Sequence, residues 1–120
     1  MKRDNQAASW IAVCGVDDIV PNTGVAALLN GEQVAVFRLN DLSSGSPEPR
    51  VYAIGNFDPN ANAAVLSRGL VGNLGERIVV ASPLYKHHFD LRTGECLEAP
   101  ENSVPSWPAR IDGGKVWVGA

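Results

Sequence analysis

Two short stretches hold most of the residues whose types could do chemistry. Ser82 to Phe89 reads SPLYKHHF and places a hydroxyl, a phenol, an amine and two imidazoles close together. Asn56 to Asn62 reads NFDPNAN and holds one carboxylate, Asp58, among asparagines. Two thiols, Cys14 and Cys96, stand apart from both stretches. A serine beside a histidine can be a nucleophile with its base. Imidazole, thiolate and carboxylate groups are the common metal ligands.

Each candidate has a plainer reading. His87 and His88 are neighbours, and adjacent side chains of a strand point to opposite faces, so they do not readily share one metal. One imidazole is expected exposed and one partly buried beside Phe89. A Ser82–His hydrolase needs a geometry that no motif supplies, because Gly-x-Ser-x-Gly is absent. Neither cysteine belongs to a CxxC or CxH pair, so both read as reduced, partly buried thiols. Gly69-Leu70-Val71-Gly72 falls short of a dinucleotide fingerprint, and no P-loop occurs. Asp58-Pro59 between asparagines is good turn chemistry, and Pro59 stops the strand before it. The residues alone support no catalytic, cofactor-binding or metal-binding residue.

The elements that must position these loops are short. With 120 residues the chain is expected to be one domain over 1–120, residues 1–9 being a flexible N-terminus. A net charge of −3 argues against a duplex nucleic-acid binder, which needs clustered Lys and Arg. No apolar run approaches the roughly 18 residues of a membrane span, and the N-terminus lacks a signal-peptide core, so the cytoplasm is the expected compartment. Strands are expected over Trp10 to Val16, Val25 to Leu29, Gln33 to Arg38, Val51 to Ile54, Arg77 to Ala81, His88 to Leu91, Cys96 to Leu97 and Lys115 to Val118. Asn30-Gly31 makes the second and third a hairpin, since both residues accept positive φ. Asp41 to Arg50 (DLSSGSPEPR) is expected to be a polar loop. Asn62 to Ser67 (NAAVLS) is the best helix signal, one or two turns ended by Gly69. Asp17-Asp18 either caps a single turn or starts a β-turn before Pro21. Such spacing points to an all-β sandwich or small barrel of short antiparallel strands, with at most one or two short helical turns.

The order of these features resembles the Rieske domain family. VYAI leads into NFDPNAN, then AVLSRGLV, IVVA, SPLYKHHF and DLRTGECLEAP. In that family a CxH loop and a CPxHG loop follow the corresponding strands. The resemblance places Asp58 and Asn60 at the first Cys and His, and Ser82 and Tyr85 at the second pair. All four ligand positions are therefore vacated, while Pro83 stays in the place of the family's proline and Lys86 stands where the family has glycine. A Rieske cluster needs two thiolates and two imidazoles, and this set offers neither. The stretches DDIVPNTGVAALLNGEQVAVFR, AIGNFDP, AVLSRGL and VASPLYKHHFDLRTGECLE are similar to a cluster-less branch, the small subunits of assimilatory NAD(P)H-dependent nitrite reductases.

What this implies is a non-catalytic subunit with no cofactor of its own. Its partner would be a large catalytic subunit carrying FAD, an iron–sulfur cluster and sirohaem, which reduces nitrite to ammonium. No nucleic acid and no membrane is implied. The vacated pocket is expected to close, with the Tyr85 ring and Pro83 filling part of it and Asp58 accepting hydrogen bonds from the loops. Docking is expected at the tip through Tyr85, Lys86, His87 and Arg68. The competing surface is an edge strand at Lys115 to Val118 with Trp117. The alternatives are a free-standing binding module and a ferredoxin-type electron carrier.

Overall fold

The computed structural model describes residues 9–40 and 49–120. Among the described residues the strands are β1 Trp10–Gly15, β2 Thr23–Leu29, β3 Glu32–Leu39, β4 Arg50–Gly55, β5 Phe57–Asp58 and β6 Ala63–Ala64. They continue as β7 Leu70–Leu74, β8 Arg77–Ala81, β9 His88–Asp90, β10 Ser106–Trp107, β11 Ala109–Asp112 and β12 Lys115–Gly119. Three single 3-10 turns, Val16–Asp18, Leu66–Arg68 and Pro100–Asn102, join them. The fold is all-β, as the turn spacing requires. Residues 1–8, and the expected polar loop up to residue 48, lie outside the described residues.

The sheets run β1-β12-β11, β10-β4-β3-β2, β5-β6 and β7-β8-β9, and every strand pair is antiparallel. β3 is the centre of the molecule. Its run Val34-Ala35-Val36-Phe37 is wholly buried because both faces are covered, a pattern that replaces the usual apolar–polar alternation. Ala35, Phe37 and Leu39 face a core shared with Ile78, Val80 and Phe89 of the β7-β8-β9 sheet. Val34 and Val36 face a second core with Val116 and Val118 of β12. One strand thus clamps two layers, and its alternation decides which side chain serves which.

The hairpin β2–β3 turns at Asn30 (φ 52°) and Gly31 (φ 84°), as the dipeptide predicts. Three expectations are corrected. Asn62 to Ser67 is not a helix: Ala63–Ala64 pairs with Phe57–Asp58, and the 3-10 turn follows. The amides of Leu66 and Ser67 are taken by the backbone oxygen and the side-chain Oδ1 of Asn56, so they cannot build a helix. Cys96–Leu97 is a single bridge to Phe89 and not a strand. β12 is no edge, because it is paired on both sides, and Trp117 is tied through Nε1 to the Asp112 carbonyl at 3.0 Å. Asp17 and Asp18 lie inside a 3-10 turn, where the Asp18 carboxylate accepts from the Gly15 amide at 2.8 Å.

Gly94 closes the turn after β9 at φ 82°, and a Cβ there would lie 2.0 Å from the Val104 carbonyl oxygen, which is backbone and cannot swing away. Gly94→Ala is therefore expected to destabilise the chain by about 3 kcal/mol or more. Gly72→Ala, with nothing within 4 Å of the added carbon, should stay within about 0.5 kcal/mol of the parent. Urea midpoints of the two variants check the contrast.

Candidate functional site

β4 delivers the chain into the first loop, and β8 delivers it into the second. At the root of the first, Asn56 is buried and bonded at both side-chain polar atoms: its Nδ2 donates to Gln33 Oε1 at 2.9 Å and its Oδ1 accepts from the Ser67 amide at 2.7 Å. Asp58 comes next, with no exposed surface. Its Oδ1 accepts from the Asn60 amide at 2.9 Å, the Asx turn that an Asp-Pro-Asn run favours. Asn60 Nδ2 reaches the same oxygen at 3.2 Å.

The second loop is closed by its own backbone. The Ser82 amide donates to the His87 carbonyl at 2.9 Å, and the Lys86 amide donates to the Ser82 carbonyl at 3.1 Å. Lys86 sits at φ 65°, the left-handed region that suits glycine. The turn that a glycine would make is thus kept with a lysine in it, at a local cost of roughly 1–2 kcal/mol. Ser82 is also fully buried, and its Oγ donates to Asp58 Oδ2 at 2.5 Å. That bond joins the two loops.

Three of the four positions singled out from the sequence, Asp58, Asn60 and Ser82, are therefore brought together. Tyr85 is not: its ring is 65% exposed and fills no gap, a correction to the expected closure. The space is closed instead by two residues that the sequence did not place at the site, Cys96 and Asn102. Asn60 Nδ2 lies 3.6 Å from the buried Cys96 sulfur, and Asn102 Nδ2 donates to Asn60 Oδ1 at 2.8 Å. Cys96, between Glu95 and Leu97, was expected only as a partly buried thiol, and nothing in the sequence marks Asn102. Both cysteines are free. Burial, and then the nearby Asp18, push the Cys14 thiol up.

Other groups surround the loops. His88 Nδ1 lies 2.6 Å from Glu98 Oε2, and the His88 amide donates to Oε1 at 2.8 Å. Partial burial pushes the Glu98 carboxyl up, but these His88 contacts and Glu98's own amide outweigh it and hold the group below the ordinary carboxylate range. Both imidazoles are half-buried, so neither is the exposed one expected, and His87 Nδ1 is buried without a partner. Lys86 and Arg68 are exposed. Exposed apolar side chains flank the joined loops: Phe57 beside Asp58, Leu84 and Tyr85 after Ser82, and Leu70, which pairs with Ala81.

Hard oxygen and amide groups, already bonded to one another, are the wrong donors for a [2Fe–2S] cluster, which needs thiolates on one iron. The set does not fit that group. Among the described residues no cluster of three or more His, Cys, Asp or Glu is arranged to hold a metal ion, and no helix is long and apolar enough to cross a membrane.

Ser82→Ala leaves a buried carboxyl oxygen without a donor and is expected to lower stability by about 2 kcal/mol. Asp58→Ala and the double variant complete a cycle in which the double change costs less than the sum of the singles, by at least about 1 kcal/mol. Denaturant titration of all four chains measures it, and additivity would show that the two groups do not interact.

Comparison with known proteins agrees with this geometry. Residues 9–119 match the Rieske-like [2Fe-2S] domain. The nitrite reductase (NADH) small subunit of Salmonella typhimurium is 44% identical over 109 residues, covering 91% of this chain and 95% of that protein. The nitrite reductase [NAD(P)H] large subunit of Klebsiella oxytoca is 42% identical over 110 residues; the match takes in 92% of this chain and 11% of that protein's length. The NMR structure of the Escherichia coli protein NirD superposes with a TM-score of 0.81 at 42% identity, covering 93% and 96% of the two chains.

Proposed function

The chain belongs to the Rieske-like [2Fe-2S] domain family, and on that premise we propose that it is the small, non-catalytic subunit of an assimilatory NAD(P)H-dependent nitrite reductase. In this reading it works in the cytoplasm, holds no cofactor, and docks through its two-loop tip on a large chain that carries FAD, an iron–sulfur cluster and sirohaem. Reduction of nitrite to ammonium belongs to the large chain.

The observation that carries the reading is the pair of relatives. The same domain occurs as nearly the whole of a protein named small subunit and as 11% of a protein named large subunit. A domain found both beside and within the catalytic polypeptide has reason to keep a face that meets it. The tip has the properties such a face needs. Asp58, Ser82 and Asn60 hold the loops in one conformation, which lowers the ordering cost of association. Tyr85 stands out from the surface as an amphipathic anchor, and Leu84 and Phe57 are further exposed apolar side chains on the two loops. Lys86, Arg68 and His87 supply polar contacts at its margin. The edge-strand rival at Lys115 to Val118 is lost, because β12 is an inner strand.

Tyr85→Ala combined with Lys86→Glu is expected to weaken binding to the large subunit about thirtyfold, the loss of an anchor of about 2 kcal/mol, while the isolated chain keeps its melting point. Trp117→Ala should leave affinity within about twofold. Titration of the purified large subunit with each variant decides; a double variant that binds like the parent would remove the tip as the docking face.

A further inference from the structure

Positive φ suits glycine, and after glycine it suits asparagine, whose short side chain bonds the local backbone. Among the described residues the chain follows that rule at every left-handed position but one. Five of these positions are glycines and three are asparagines, and the remaining one is Lys86, at φ 65°.

The surroundings dictate the backbone there and not the residue type. The Ser82 amide donates to the His87 carbonyl and the Lys86 amide to the Ser82 carbonyl, so the turn is left-handed whatever side chain it carries. Lysine brings little in return within the chain. Its ammonium donates to the Pro83 carbonyl at 3.4 Å, longer than an ordinary N–H···O bond and on the exposed surface, where such a bond contributes little. Strain that nothing inside the chain offsets points to what the side chain meets outside it.

The electrical setting names the chemistry of that encounter. Over residues 56–70 and 82–87 the sequence has one carboxylate, Asp58, and two permanent cations, Arg68 and Lys86. Asp58 is buried and taken up by Asn60 and Ser82, whereas both cations are exposed. The tip of a chain with net charge −3 is therefore locally positive. Leu84 and Tyr85, just before Lys86 in the chain, are exposed. A protein face covers such side chains on docking, and a small anion does not. Covering them removes water from around the ammonium and strengthens its attraction to a carboxylate.

We propose that Lys86 is kept in the left-handed region for its charge, and that it pairs with a carboxylate of the large chain, so that the tip docks on an acidic patch at a cost to the small chain's own stability. This rests on the docking reading above and adds the sign of the surface that the tip meets and the residue that reads it.

The test compares Lys86→Gly, Lys86→Arg and Tyr85→Ala in the full chain, by melting point and by titration of the purified large subunit at about 50 mM and about 500 mM salt. Lys86→Gly should melt about 3 °C higher than the parent, because glycine removes the strain. At low salt it should bind the large subunit at least about fivefold more weakly. At high salt that difference should shrink to within about twofold, since screening weakens an ion pair that only the parent makes. Lys86→Arg keeps both charge and strain, so its melting point should stay and its affinity should remain within about twofold of the parent. A glycine variant that melts no higher than the parent overturns the proposal. So does one that binds like the parent at low salt, or one weakened equally at both salts. In those cases a weakened Tyr85→Ala chain leaves the docking reading standing; if Tyr85→Ala also binds like the parent, the tip is not the docking face and both readings fall.

Discussion

A carboxyl group with no exposed surface must find hydrogen-bond donors inside the protein, and at Asp58 that demand organises the tip. One oxygen takes the Asn60 amide and side chain, which shapes the first loop. The other takes the Ser82 hydroxyl, which fixes the second loop against the first. Asn60 then passes the constraint to Cys96 and Asn102, so that a third segment is held by the same group. Where other Rieske-family members join two loops through a metal cluster, side-chain oxygens and amides make the link in this chain. The link is directional and short, but it offers no redox centre.

The layering beneath the tip explains why the loops can be held so firmly. β3 is buried on both faces, and the strands that launch the two loops, β4 and β8, each pack into the core beside Phe37. Ile54 of β4 and Val80 of β8 lie in the same cluster. The relative positions of Asp58 and Ser82 are therefore inherited from close-packed strands and do not rest on the loops alone. The left-handed backbone at Lys86 fits the same picture: a strained residue persists because its surroundings determine it.

Local chemistry was legible in the sequence where a residue's own backbone preference decides. The Asn30-Gly31 turn and the Asx turn at Asp58 follow from positive φ and from short polar side chains. The vacated ligand positions at Asp58, Asn60 and Ser82 were legible through the family resemblance. What escaped was decided by partners far along the chain. Leu66 and Ser67 look helical until Asn56 claims their amides. β7 has no alternation to reveal it, since Leu70 and Leu74 are both exposed and only pairing with β8 makes it a strand. The inner place of β12 is a matter of sheet order, which no residue of Lys115 to Val118 announces. Asn102 enters the site by tertiary contact alone, and Tyr85 leaves it because the closed Ser82–His87 turn carries its ring to the surface.

Iron content, read together with the visible absorption spectrum of the chain purified from iron-replete cells, tests the central claim most directly. If Asp58 and Ser82 join the loops, the protein is colourless and binds no stoichiometric iron. About two irons per chain, with the visible bands of a [2Fe–2S] centre, would contradict the account, because those ligands would have to displace the hydrogen bonds on which the tip depends.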